Sequence, residues 1–360
     1  MKKLVFSACA LTLTCGTAVA NNSDWDQLDN DVQALSANLQ DMEGGGMTVG
    51  GRIRAAYESS SDATISGAND LGGFAIYNAR LFATGTTAAG IGYRLETDFA
   101  SGTGTLLDAY IDVSAGDTID IRMGRFRGYV LSESQIDSGN LFFFDRSTNA
   151  AVFAGRQDGI AISGDMDAFN WAITIQNGSD GTDDELFYAI RAGMDFMGEG
   201  TSMVEGAYGA GDDMTASAGI AYYDDGAATD GSGFAIEAGA QSSQFSLSAN
   251  LTSRDDGGVG SNFGTGGVHV ATFTAPGYAG AVLEGDNTPW SLMGTFALNE
   301  SWELGLRYQD LDDTNSTDII DFGANYYVDG HAMKYIINWT SVGSDLGDGD
   351  LIRVGFNAAF

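Results

Sequence analysis

The side chains of this 360-residue chain that could do chemistry are arginines and carboxylates set at alternate positions. Arg52, Arg54 and Glu58 share one parity in 47–58, Arg94, Glu96 and Asp98 share one in 90–99, and Asp120 and Arg122 share one in 118–125. The segment 126–156 adds Arg127, Glu133, Asp137, Asp145, Arg146 and Arg156 around an apolar Leu141-Phe142-Phe143-Phe144. Guanidinium groups stay charged at any ordinary pH, so such rows are poor proton carriers. What they can do is set a transverse field that acts on hydrated solutes. The competing use is mutual pairing that stiffens a wall, and the two uses are compatible. His269 and His331 are the only histidines, and neither has a nucleophile near it in sequence for a Ser–His pair. No Cys/His cluster has metal-ligand spacing and no glycine-rich phosphate loop follows a strand, so neither an enzyme nor a cofactor is expected. Asp345, Asp348 and Asp350, and likewise Asp312, Asp313 and Asn315, are weak calcium candidates. Their spacing lacks a complete ligand set, and a solvated loop is the plainer reading.

Strands must position those charges. In 47–58, Val49, Ile53, Ala55 and Tyr57 oppose the charged row; in 90–99, Ile91, Tyr93, Leu95 and Phe99 do. In LLDAYIDV, Leu107, Ala109, Ile111 and Val113 oppose Asp108 and Asp112, and in FNWAITIQ, Phe169, Trp171, Ile173 and Ile175 oppose Asn170, Thr174 and Gln176. A soluble sandwich also alternates, with its apolar face inward. Strand length and aromatics near strand ends favour the reverse, apolar outward to lipid and charged inward. Trp302 and Tyr308, six residues apart at about 3.3 Å per residue, are separated by roughly 20 Å, the height of a lipid-facing band after tilt.

Short connections at 115–118, 164–167, 241–244, 298–301 and 329–330 are expected at the periplasmic end, and long acidic ones at 59–73, 126–156, 177–184, 225–232, 255–288, 310–317 and 341–350 outside. The spacing predicts strands near 47–58, 74–84, 90–99, 106–115, 118–125, 157–165, 168–177, 186–197, 214–224, 233–241, 244–254, 289–298, 301–310, 317–328, 331–341 and 351–360. The fold class is therefore all-β: a transmembrane antiparallel barrel of sixteen strands. Counting the apolar pieces 201–210 and 267–275 as spans would make eighteen. The last strand sets Ile352, Val354, Phe356, Ala358 and Phe360 on the lipid face, opposite Arg353 and Asn357.

Ahead of this body, Lys2, Lys3, the apolar run Leu4 to Thr14 and Ala18-Val19-Ala20 read as a signal peptide over 1–20. The run is too short to span a bilayer, and Cys15 sits in a poor lipoprotein context. Cleavage would remove both Cys9 and Cys15. Residues 21–46 read as a periplasmic helix with a glycine hinge: Trp25, Leu28, Val32, Leu35, Leu39 and Met42 form a short a/d seam. Self-association as a trimer suits so narrow a seam; the competing reading is one amphipathic helix lying on the body. The barrel domain is then 47–360. Fifty-one glycines, two prolines and no apolar run near 18 residues exclude a helical membrane protein. A formal charge of −33 argues against nucleic acid as a partner, and 11% aromatic content argues against disorder.

Residues 122–164 carry Gly124-Arg125-Phe126, Ser132-Glu133-Ser134, Phe144-Asp145-Arg146-Ser147 and Gly155-Arg156-Gln157-Asp158-Gly159; WELGLRY at 302–308 precedes FGANYYVDGHAMKYIINW at 322–339. In these elements the chain resembles the phosphate-selective porin family, the O and P type. The resemblance implies a sixteen-stranded bacterial outer-membrane barrel, usually a homotrimer, with its third outer loop folded inward as a constriction. The residues make 126–156 the candidate for that loop, with Arg52, Arg54, Arg94 and Arg122 expected on the opposing wall; the competing reading is an outward loop whose phenylalanines touch a neighbouring subunit. It implies outer-membrane lipid and lipopolysaccharide around the barrel, and Phe360 as the recognition end for the assembly machinery. Phosphate selection needs a dense cationic path, whereas the chain has 16 Lys and Arg against 49 Asp and Glu. Lys334 is its sole lysine after residue 20. The expectation is a passive porin for ions and small hydrophilic solutes, leaning weakly to cations because of the acidic excess. A solute-specific channel for phosphate or another nutrient is the alternative, and a structural or adhesive surface barrel with a plugged lumen is a third reading.

Overall fold

The computed structural model describes residues 46–61, 71–178, 186–224, 231–255, 286–313, 316–345 and 347–360. The signal peptide, the helix before Gly46, His269, the piece 267–275 and Asn315 lie outside the described residues.

From Thr48 to Phe360 the chain is a closed antiparallel barrel of sixteen strands in sequence order, with β1 paired to β16. The strands are β1 Thr48–Ser61, β2 Leu71–Thr86, β3 Gly92–Asp98, β4 Thr105–Ser114, β5 Ile119–Arg127, β6 Arg156–Met166, β7 Phe169–Asn177 and β8 Leu186–Met197. They continue as β9 Thr215–Asp224, β10 Ser232–Gln241, β11 Phe245–Asp255, β12 Trp290–Ala297, β13 Trp302–Asp310, β14 Asp318–Asp329, β15 Met333–Gly343 and β16 Gly349–Ala359. Each expected strand is present, shifted by at most a few residues at its ends. The eighteen-strand count fails at 201–210, which is not a strand but part of the connection between β8 and β9.

The barrel is inverted relative to a soluble sandwich. Ile53, Tyr57, Ile173, Ile175, Leu306, Ile352 and Val354 point outward and are exposed, while Arg54, Arg80, Glu96, Asn325, Lys334, Arg353 and Asn357 point inward and are buried. Only lipid makes that arrangement favourable, because an apolar outer belt in water would forfeit the hydrophobic term. Rings mark the belt's edges: Trp302 with Tyr326 (centroids 4.9 Å apart) and Tyr335 at the short-turn end, Trp290 with Tyr308 (5.2 Å) at the other.

Two local departures have physical causes. A register shift in the β3–β4 pairing between Leu95 and Thr97 brings Leu106 outward, 44% exposed, and leaves Leu107 buried at 9%, not lipid-facing as strict alternation predicts. At Gly124 the backbone sits at φ +129°, and a Cβ there would lie 2.2 Å from the Ala109 carbonyl oxygen, so only glycine fits between β4 and β5. The barrel closes where Gly51 and Phe360 exchange backbone hydrogen bonds of 2.8 and 3.0 Å.

Candidate functional site

Between β5 and β6 the chain does not turn outward. Residues 128–155 enter the lumen, shaped by two short helical turns, α1 Ser132–Gln135 and α2 Thr148–Val152. Asp137 Oδ1 accepts from Gly139 N–H (2.8 Å), and Ser147 caps α2 by accepting from Ala150 N–H (3.2 Å). Glu133 holds the two halves together, accepting from Ser147 N–H (2.8 Å), Ser147 Oγ (2.9 Å) and Asn250 Nδ2 (2.6 Å).

Apolar side chains pin this loop to two separate parts of the wall. Val130, Leu131 and Phe153 pack with Phe187, Ala189, Ala221, Tyr223 and Ala235 of β8–β10. Phe144 packs with Ala56, Tyr77 and Ile336, and Phe142 and Phe143 with Met293. Gly305 and Gly323 make room for those rings; a Cβ at Gly305 would lie 2.5 Å from the Phe142 ring. The loop therefore crosses the barrel.

Arginines fix its polar edge. Arg52 pairs with Asp137, and Arg54 Nη2 donates to the Phe143 and Phe144 carbonyls (3.3 and 3.2 Å). Arg353 pairs with Asp145, whose carbonyl accepts from Arg307 (3.0 Å). Arg127 donates to the Gln135 and Ile136 carbonyls (3.0 and 3.1 Å), and Arg146 donates to the same Ile136 oxygen. Lys334 Nζ donates to the Leu141 carbonyl at 2.5 Å. Arg52 and Arg54 thus grip the loop instead of facing it across a gap. Burial alone would raise the Asp137 carboxyl, but Arg52 and Arg80 outweigh it and hold the group well below the usual carboxylate range. Burial lowers the Arg146 guanidinium to about 10, with nearby Arg156 adding to the effect.

Among the spaces that the described residues leave beside the loop, two differ in the charge of their linings. The first, about 190 Å³, is lined by Arg94, Arg122, Arg127 and Arg156 with Asp108, Asp137, Tyr110, Phe126 and Gln135. Arg122 stacks 4.0 Å over the Tyr110 ring and is held bidentate by Asp112 (2.8 Å twice). Arg94 pairs with Glu96 and with Asp108 (3.3 Å), and Asp108 also takes Arg156 (3.0 Å). Arg80 binds Glu96 (3.1 Å) and Asp98 (2.8 Å) behind them. The second space, about 100 Å³, is lined by Glu133, Glu205 and Glu237 with serines, Gln241 and Asn250, and by no arginine or lysine.

Of the residues expected from sequence, Arg94, Arg122, Arg127, Asp137 and Arg156 meet at one space. Glu96 and Asp98 sit behind it; Glu133, Asp145 and Arg146 lie on the loop away from this space, Asp145 paired with Arg353 and Glu133 bonded to Asn250 of the wall. Asp120 is not among them: it stays near the short-turn end of β5, exposed and bonded to Ser114 Oγ (2.6 Å). Sequence reasoning missed Asp108, Tyr110 and Glu205 as site residues. The first two share the inward parity of β4; Glu205 belongs to a segment with no periodic signal. Asp345, Asp348 and Asp350 do not form a ligand set, since among the described residues no three His, Cys, Asp or Glu are grouped to hold a metal. Asp345 instead accepts from Ser316 Oγ (3.2 Å).

The family model of phosphate-selective porin O and P matches residues 47–219, the half of the barrel that contains the inward loop. The chain is an outer-membrane porin resembling that family. Solved structures share the porin's fold. An anion-selective porin from Comamonas acidovorans is 14% identical with a TM-score of 0.55, over 87% of this chain and 99% of that one. A loop-deletion form of OmpT, an outer-membrane protein of Vibrio cholerae, is 10% identical with a TM-score of 0.59, over 87% and 99%. A mutant of the Rhodopseudomonas blastica porin is 15% identical with a TM-score of 0.54, over 87% and 100%. No curated protein sequence matches the porin significantly.

Proposed function

We propose that this porin passes small hydrophilic solutes by diffusion, not catalysis, through the space beside β3–β6, and that this space favours anions. One observation carries the reading: four guanidinium groups and two carboxylates line that space. A pore's selectivity follows the charge at its narrowest part, where walls of low dielectric focus the field, more than the charge of the whole molecule. This reading departs from the weak cation preference suggested by composition because in this one space arginines outnumber carboxylates four to two, whereas much of the acidic excess, such as Asp310, Asp312, Asp313 and Asp345, belongs to the long outer connections and the strand ends beside them. The family match and the Comamonas porin point the same way. Reversal potentials in a potassium chloride gradient across planar bilayers test it. The wild type should reverse on the chloride side, and Arg127→Gln and Arg122→Gln should each move the reversal towards potassium. A wild type that reverses on the potassium side would sink the reading.

Three further parts belong to the same proposal. Helix 21–46 serves as a periplasmic self-association element. The porin is a homotrimer, which the outward ion pair of Arg125 with Asp158 (2.8 Å) supports, since a lipid-facing wall gives such a pair no partner. Phe360 is the end read by the assembly machinery, and lipopolysaccharide surrounds the outer rim.

A further inference from the structure

Strands run alternately up and down, so the connection between β8 and β9, residues 198–214, emerges at the same end as Phe360 and the tight turns at 167–168 and 330–332. Among the described residues it is the one long connection at that end. It does not hang free. Ala207 N–H donates to Glu303 Oε1 (2.6 Å) and Thr295 Oγ1 (3.0 Å), and Gln241 Nε2 donates to the Val204 carbonyl (2.8 Å). The Tyr208 ring stacks on Tyr327 at 3.7 Å between centroids. Every one of these wall partners points into the lumen, so the segment rises inside the barrel.

There it meets the tip of the loop descending from the other end. Glu205 N–H donates to the Asn140 carbonyl (3.0 Å), and Asn140 Nδ2 donates to the Met203 carbonyl (3.2 Å). The Glu205 carboxylate accepts from Phe142 N–H (2.6 Å) and Phe143 N–H (3.3 Å), with Arg307 at 3.7 Å. Those amides belong to the residues that anchor the loop on Gly305 and Gly323. A buried carboxylate that satisfies two backbone donors of another element is a clamp, because its loss would orphan both.

We propose that segment 198–214 is a second narrowing element, rising from the periplasmic side, and that Glu205 is the positioning residue that holds the inward loop's tip at its working height. The two elements then set the conductance together, a claim that rests on the porin reading and adds to it. Planar-bilayer recording of three variants tests it, each first checked as a folded, heat-modifiable barrel. Glu205→Ala should split the single open level into sublevels with larger open-channel noise. Glu205→Gln keeps an acceptor for the Phe142 amide and should restore one level. Replacing 199–213 by a two-residue Asn-Gly turn should raise the conductance outright. If that replacement does not fold, Met203→Cys supplies the answer: a charged thiol reagent should cut the current from the periplasmic side and act far more slowly from the other. Wild-type levels and noise in folded Glu205→Ala, wild-type conductance in the folded replacement, or equal rates from both sides would overturn the proposal. None of these results would disturb the anion reading, which fails only through the reversal potential.

Discussion

Burial shifts Glu205 and His331 in opposite directions, each towards its neutral form. Burial pushes the Glu205 carboxyl up from 4.5 to about 7, against Arg307 and the two loop amides and with Glu133 adding to the rise. An acid whose pKa is raised by folding contributes fully below its unfolded value, and that contribution is lost as the pH climbs through about 7. His331, in the turn after β14, is the opposite case. Burial, with Lys334 beside it, takes the ring from 6.5 down to about 4, so its contribution is present above 6.5 and is lost as the pH falls through about 4. Glu205→Gln should therefore gain on the wild type between about pH 5 and about pH 8, by on the order of 1–3 kcal/mol. Urea unfolding in lipid vesicles across that range measures it, and parallel pH profiles would contradict it. His331→Asn should flatten the acid side of the profile instead. The lumen arginines were legible in sequence because parity fixes their side of the strand. Their partners were not, since which carbonyl an arginine reaches depends on how a loop folds.

The strands were readable because a lipid-facing wall must alternate along its whole length, and a one-residue slip would turn every charge towards lipid. The 198–214 segment was unreadable for the complementary reason: its anchors are individual bonds to Glu303, Thr295, Gln241 and Asn140, which impose no period. The β3–β4 bulge escaped notice because both Leu106 and Leu107 are apolar, so either could serve as the outward residue. Glycine gives the sharpest tests of how elements fit together. Gly124→Ala should disrupt the β4–β5 pairing at a cost of several kcal/mol, since positive φ and a 2.2 Å approach both oppose a side chain. Fewer heat-modifiable barrels on gels would show it. At Gly305 the three atoms nearest an added Cβ all belong to the Phe142 ring, at 2.5 to 3.0 Å, so Gly305→Val strikes that ring first. It should displace the inward loop while the barrel still forms, giving noisier and larger currents; unchanged currents would mean the loop is held elsewhere.

The molecule as a whole keeps its charge and its apolar surface on opposite faces of one wall. Its formal charge is −33, yet nearly every cation in the barrel faces the lumen, and the outer belt is apolar between two rings of aromatics. A cation in the middle of that belt, as in Leu306→Arg, should cost about 2–4 kcal/mol, read from unfolding in vesicles, with little change in conductance. At the seam, deleting Phe360 removes both backbone bonds to Gly51 and a ring lying against that glycine. The amount of porin assembled in outer membranes should fall, while each channel that does insert conducts normally. The apolar outward parity of the strands made the membrane address legible from sequence; net charge says little about selectivity, because it averages rim and lumen. The most direct test is therefore the reversal potential of the wild-type porin in a potassium chloride gradient across a planar bilayer. The account predicts open channels that reverse on the chloride side, with that preference reduced in Arg127→Gln. A closed lumen, or open channels reversing on the potassium side, would contradict it.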